Sequence, residues 1–268
     1  MSLLEAIIIG IVQGLTEFLP VSSSGHIELS KAIFGVELTE GLLFTVVLHA
    51  ATALSTVVVF RKDILSLFKG LLSFKWNEET RYCWMIVLSM IPAALVGIFL
   101  EDQINDLFNE NVLLVGLMLL VTGVVLLASD RASNTEKGSI NNKRATILGF
   151  VQAIAILPGI SRSGSTIATG VLMGMDRSKA ARFSFIMVLP LIAGAALKKL
   201  LEFISLPASE AATIPVVNMS AGFIAAFIAG LFAIRWMIKL VENSQLKWFA
   251  YYCFAVGAIS IGYVSFFS

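Results

Sequence analysis

Apolar residues run along this chain in long blocks, and the interruptions are few and local. Six stretches are long and apolar enough to cross a bilayer as helices: roughly 41–60, 83–100, 112–129, 182–201, 216–238 and 247–267. Such a crossing takes ~20 residues at ~1.5 Å rise each. Two regions break the pattern. Residues 26–36 are too short to span, and so are 144–157 and 166–175, which flank the segment PGISRSGST. Residues 2–19 are apolar but run into GLTEFLPVSSSGH, residues 14–26, where a glutamate, a proline, three serines and a histidine interrupt the first hydrophobic segment. The pattern predicts two helical hairpins that enter the membrane partway and return. Residues 61–76 differ again. Ile64, Leu65, Phe68, Leu71 and Leu72 fall at helical spacing, with Lys62, Lys69 and Lys75 elsewhere. This predicts a helix lying flat in the interface with Trp76 at the headgroups.

Composition narrows the class. Of 268 residues, 57% are hydrophobic and 14% charged, whereas a soluble domain is about a quarter charged. The chain reads as an all-α, polytopic membrane protein forming a single domain. A net charge of +1 leaves no broad basic surface for nucleic acid. Cys83 and Cys253 sit in apolar segments at a spacing that suits neither a zinc site nor a disulfide framework. The first segment has no early Lys or Arg, so it is expected to belong to the mature fold rather than to a signal peptide.

A shift of 139 residues lays GIVQGLTEFLPVSSSGH over GFVQAIAILPGISRSGS without gaps. Gly10, Val12, Gln13, Ser22, Ser24 and Gly25 then meet Gly149, Val151, Gln152, Ser161, Ser163 and Gly164. The chain therefore reads as two repeats, about 1–130 and 144–268, each a broken hairpin followed by three spans. An odd number of spans inverts the second repeat. The basic residues test this. Arg61, Lys62, Lys69, Lys75 and Arg81 occupy one loop, and Arg131, Lys137, Lys143 and Arg144 another. Arg177, Lys179 and Arg182 follow the second hairpin, and Arg235, Lys239 and Lys247 mark the last basic loop. All four fall on one side if both hairpins are re-entrant. Glu37, Glu40, Glu101, Asp102, Asp106, Glu110, Glu202 and Glu210 fall on the other, with Lys31, Lys198 and Lys199. The positive side is expected to be cytoplasmic. Hairpin one then dips in from outside, hairpin two from the cytoplasm, and their tips meet inside the bilayer.

Non-helical backbone at membrane depth must be shielded from lipid or face a wet cavity. Each half-helix that starts at a tip presents free N–H groups and a positive dipole end, which suits phosphate. Ser22, Ser23 and Ser24 at one tip, and Ser161, Ser163, Ser165 and Thr166 at the other, can cap those helices or bind a ligand. Gly10, Gln13, Gly14 and Glu17 share one small, polar helical face that is expected to point into the bundle. In the second repeat the matching face is Gly149, Gln152, Ala153 and Ile156, while Arg162 stands where the first has Ser23. Glu17, His26 and Arg162 each place a charge or a titratable ring near mid-bilayer, at ~2.5–3.5 kcal/mol for a charge on insertion scales. An Arg fork, two half-helix N-termini, hydroxyls, a carboxylate and an imidazole form an inventory for phosphoryl chemistry. Glu17 can ligate Mg²⁺ or Ca²⁺ or act as a base, and His26 can be acid, base or nucleophile. Ser23 can be the nucleophile. His49, in FTVVLHAATAL, is expected to make an interhelical hydrogen bond, with a supporting role at the site as the alternative. Glu28 has no assigned role. A transporter or flippase of a phosphorylated molecule is the competing function, since inverted repeats with broken helices at the midplane serve transport.

The two motifs GxxQGLTEFLPVSSSGH and PGISRSGST resemble the signature motifs of the undecaprenyl pyrophosphate phosphatases, the bacitracin-resistance family, and the resemblance extends over the whole chain. It implies removal of one phosphate from undecaprenyl pyrophosphate at the outer face of the bacterial plasma membrane. That would recycle the lipid carrier for peptidoglycan synthesis. It implies Glu17 as the essential acid of an E/Q-x-x-x-E motif, with Gln13 at its first position, and Ser23, His26 and Arg162 in the active site. Gln13, Ser22, Ser24, Gly25, Ser161, Ser163, Gly164 and Thr166 are the expected substrate-binding residues. It also implies a divalent metal, Mg²⁺ or Ca²⁺, with Glu17 as a ligand. The partners expected are a polyprenyl diphosphate and membrane lipids. A homo-oligomer is left open.

Overall fold

The computed structural model describes residues 2–34, 41–107, 111–132, 138–204 and 216–267. Glu37, Glu40, Glu110, Lys137 and Glu210, which the charge argument uses, lie outside them. Among the described residues the regular structure is helical. Hairpin one is α1 (Leu3–Thr16) and α2 (Ser23–Phe34). It is followed by α3 (Gly41–Val59), α4 (Arg61–Leu72), α5 (Glu78–Phe99), α6 (Glu101–Leu107) and α7 (Val112–Arg131). Hairpin two is α8 (Asn142–Ile154) and α9 (Arg162–Leu172). Then come α10 (Arg177–Met187), α11 (Leu189–Ile204), α12 (Val216–Glu242) and α13 (Lys247–Phe267). Among the described residues, α5, α7, Arg177–Lys198, α12 and Lys247–Ser265 are long and apolar enough to span a membrane. Helices α3 and α4 together make a bent pair that passes the same test.

Local chemistry explains where these helices begin. Asn77 caps α5, its side chain accepting from Thr80 N, so that span starts at Glu78 rather than near residue 83. Asp176 caps α10 by accepting from Lys179 N. The fourth span thus starts at Arg177, not 182, and its basic residues ride on the helix instead of in a loop. Arg177 is buried and donates to the carbonyls of Ser129 and Ala132 at the C-terminal end of α7, where a cation is favoured. Helix α4 turns 80° from α3 and exposes Leu65, Phe68, Leu71 and Leu72, as an interfacial helix requires. Trp76 beyond it is also exposed.

Small residues set the packing of the hairpins. Helix α1 lies on α12 with Gly10 against Gly222 and Gly14 against Ala226 and Ala229; a Cβ on Gly14 would sit 2.5 Å from Ala226 O. Residue numbers rise together along this contact, so the two helices run parallel. Gly10, Gln13 and Gly14 are buried, as their shared face predicts. Helix α8 packs on α5, with Gly149 against the backbone of Ser89. Helices α7 and α13 run antiparallel: Gly116 meets Gly257 and Ile261, and Gly123 meets Ala250 and Phe254.

The two tips touch each other. A Cβ on Gly25 would lie 3.0 Å from Gly159 Cα, and one on Gly164 would lie 2.9 Å from Pro20 Cβ. The shift of 139 carries Gly25 to Gly164 and Pro20 to Gly159. The contact is therefore reciprocal, as a two-fold relation between the halves requires. Each tip is also tied to a long helix of the bundle. Thr122 on α7 donates to Gly159 O and accepts from Ser161 N, at 3.2 and 3.1 Å. Cys253 on α13 lies 3.6 Å from Pro20 O.

Candidate active site

Both returning half-helices are capped in the same way. Ser22 Oγ accepts from Gly25 N at 3.2 Å, and Ser161 Oγ accepts from Gly164 N at 3.1 Å. The backbone differs, however. Ser161 is extended, whereas Ser22 has φ 68°, a left-handed conformation that a non-glycine residue holds only when its surroundings impose it. His26 supplies part of that constraint. Its Nδ1 meets Ser22 O at 2.8 Å, and its Nε2 meets Tyr252 Oη at 2.7 Å. A carbonyl only accepts, so Nδ1 carries the proton and the phenol donates to Nε2.

At the junction of the tips lies a cavity of about 240 Å³. Glu17, Ser22, Ser23, Ser24 and His49 line it from the first half, and Ser161, Arg162 and Ser163 from the second. Glu17 is 9% exposed and organises the polar groups. Arg162 Nη2 donates to its Oε1. Ser23 Oγ and Gln13 Nε2 donate to its Oε2, at 3.2 and 3.1 Å. His49 Nε2 stands 3.7 Å from Oε2, while its Nδ1 is held by Thr45 O at 2.8 Å. Arg162 Nη1 is buried without a hydrogen-bond partner among the described residues.

The expected site residues divide into three groups. Glu17, Ser23 and Arg162 come together around one carboxylate, and Ser22, Ser24, Ser161 and Ser163 line the same cavity. Gln13, Gly25, Gly164 and Thr166 support it from behind. Gln13 holds Glu17, the glycines form the tip contact, and Thr166 is buried in a 2.6 Å hydroxyl pair with Ser184. His26 lies elsewhere. It lines a neighbouring, largely apolar cavity of about 680 Å³ with Trp248, Phe249 and Tyr252. The imidazole beside Glu17 belongs to His49, whose only sequence signal was a histidine inside an apolar span. Glu28 is buried on α2 and does not line the cavity.

The donors suit a hard cation carried in by phosphate better than a preformed metal cage. No group of three or more His, Cys, Asp or Glu able to hold a metal occurs among the described residues. One carboxylate and several hydroxyls are present, and Gln13 Oε1 is buried next to that carboxylate without a partner among the described residues. Mg²⁺ is commonly held by one or two carboxylates plus substrate phosphates.

Comparison with known proteins identifies the family. The family model described as "Bacitracin resistance protein BacA" matches residues 6–259. A protein of Christiangramia forsetii named undecaprenyl-diphosphatase is 56% identical over 97% of this chain and 98% of its own length. One of Parabacteroides distasonis with the same name is 48% identical, with the same two coverages. An archaeal relative from Methanosphaera stadtmanae, again so named, is 40% identical over 97% of this chain and 98% of its length. A match of this extent, through both hairpins and every span between them, places the chain in the BacA family of bacitracin resistance proteins.

Proposed function

We propose that the protein hydrolyses undecaprenyl diphosphate to undecaprenyl phosphate and inorganic phosphate at the outer face of the bacterial plasma membrane. This would recycle the lipid carrier for peptidoglycan synthesis. The observation that carries the reading is the Glu17–Arg162–Ser23 cluster. A guanidinium from one hairpin holds the carboxylate of the other through Nη2 and keeps Nη1 unpartnered, while Ser23 donates to the same carboxylate.

A terminal phosphoryl group entering the cavity meets Arg162 Nη1, a spare donor for its non-bridging oxygens. Ser23 Oγ attacks the terminal phosphorus and passes its proton to Glu17. The bond from that phosphorus to the bridging oxygen breaks, and the lipid monophosphate leaves with the bonding pair. Water then attacks the phosphoserine, Ser23 regains a proton, and inorganic phosphate departs. Gln13 keeps Glu17 oriented throughout, and the capped half-helices direct their positive ends at the phosphates. Glu17, with Gln13 Oε1, would hold Mg²⁺ or Ca²⁺, which when bound neutralises diphosphate charge. His26 fixes the strained Ser22 turn from behind. The asymmetry of the tips favours hydrolysis over lipid transport, since acid and nucleophile both sit on hairpin one.

The test is phosphate release by the purified protein from undecaprenyl diphosphate, with and without a chelator. Release is expected, with its loss under chelation and recovery on adding Mg²⁺ or Ca²⁺. Ser23→Ala should abolish turnover and the trapping of a phosphorylated protein. Lipid movement across proteoliposomes without phosphate release would instead establish the transporter.

A further inference from the structure

The catalytic cavity straddles the relation between the two halves, and its lining pairs up under the shift of 139. Ser22 and Ser24 pair with Ser161 and Ser163, Ser23 pairs with Arg162, and three further positions lose their polar group. Thr16 corresponds to Ala155, Glu17 to Ile156, and His49 to Val188. Every one of these six residues lines the cavity. The first half thus supplies a reactive wall. The second half supplies Ala155, Ile156 and Val188, joined by Ile160 from the tip and Ile192 from α11, as an apolar wall. Ala155, Ile160 and Val188 are buried. Val188 reaches the cavity because α10 ends there and α11 restarts at Leu189, with Pro190 in its first turn, where proline is tolerated.

Phosphoryl transfer sets the direction of the substrate. Attacking and leaving oxygens lie roughly in line through phosphorus. With Ser23 beside Glu17, the bridging oxygen points away from the reactive wall, toward its counterpart. We infer that the apolar wall formed by Ile156, Val188 and Ile192, with Ala155 and Ile160, seats the first isoprene unit of the lipid. It would thereby select prenyl diphosphates over hydrophilic ones. The volume agrees. A cavity of about 240 Å³ leaves room for a diphosphate and the start of a chain, the rest passing out to lipid. This assignment rests on the hydrolase reading and extends it to specificity.

The experiment compares dimethylallyl diphosphate, which carries one isoprene unit, with methyl diphosphate, which carries none, as substrate or as competitor. Val188→Thr keeps shape and adds a hydroxyl, and Ile156→Thr does the same in a smaller side chain. Each should raise KM for the prenyl compound roughly tenfold, the scale on which one hydrophobic group is read in a pocket. The change in kcat should be smaller, and the prenyl-to-methyl ratio of kcat/KM should fall about tenfold. Val188→Ala provides a second reading of the ratio if a threonine variant does not fold. A ratio that stays at its wild-type value overturns the assignment. So does a fall produced instead by Phe249→Ser, which lines the neighbouring apolar cavity. A wild-type protein that turns over neither diphosphate nor the long-chain lipid removes the hydrolase reading itself, a result distinct from an unchanged ratio.

Discussion

Glu17 holds its position through donors from both halves of the chain: Gln13 and Ser23 locally, and Arg162 from the other hairpin. Removing one partner of such a buried pair leaves the other charge unmatched, at ~3–5 kcal/mol. Substitutions that keep the shape or the charge, and so leave the partner a hydrogen bond, are therefore more informative than truncation. Glu17→Gln keeps the shape but cannot take the Ser23 proton. Arg162→Lys keeps the charge but not the two-pronged donor geometry. Each should lower kcat on undecaprenyl diphosphate by roughly 100-fold or more, the scale for losing one transition-state donor, in steady-state phosphate-release assays. Near-normal turnover in Arg162→Lys would show that only its charge matters. The two histidines separate in role at this scale. His49 faces the carboxylate, while His26 joins the Ser22 carbonyl to Tyr252 and holds the left-handed turn that aims Ser23.

Among the elements, the hairpins matter most because they stop short. A half-helix at membrane depth needs its backbone ends satisfied by protein. Ser22 and Ser161 do this, with Thr122 and Cys253 bringing the tips onto α7 and α13. The hairpin is located laterally by small residues. Gly14 lies so close to α12 that any side chain meets Ala226 O and Ala229 Cβ. Gly14→Ala must push α1 away from α12, at ~1–3 kcal/mol for overpacking, and Glu17 one turn further would move with it. The expected result is a lower melting temperature in detergent together with reduced kcat. Gly97→Ala, where an added Cβ meets nothing within 4 Å, should leave both unchanged.

At the scale of the whole molecule, the contacts are paired. The tips meet reciprocally, and α7 and α13 run antiparallel. If the halves are inverted, Lys75 and Ser244 lie on one face of the membrane and Asn111 on the other. Single cysteines at these positions, in a background lacking Cys83 and Cys253, should react accordingly with a membrane-impermeant maleimide on intact cells. Asn111→Cys should label and the other two should label only after lysis. Labelling of all three from outside would contradict the inverted arrangement. The spans, the two broken hairpins, the separate amphipathic helix α4 and the polar face of α1 were legible in the sequence. Each depends on the periodicity and length of apolar runs, which are local properties. So was the meeting of Glu17 with Arg162, because the shift of 139 and the charge of the loops set the tips against each other. Glu17, Arg162 and Ser22, Ser23, Ser24, Ser161 and Ser163 were legible as residues of the site, but the placing of His26, Ile156 and Val188 was not. Two residues separate Ser23 from His26, yet the left-handed turn at Ser22 and the hydrogen bond to Tyr252, 226 positions away, place that ring in a different cavity. His49 approaches Glu17 only because α3 is packed beside α1, and Val188 lines the cavity only where α10 gives way to α11. The sequence by itself determined the apolar spans, the two broken hairpins and the polar residues they carry; tertiary packing decided which residues share a wall, since distance between side chains on different helices is set by how the helices dock, and no local pattern encodes that.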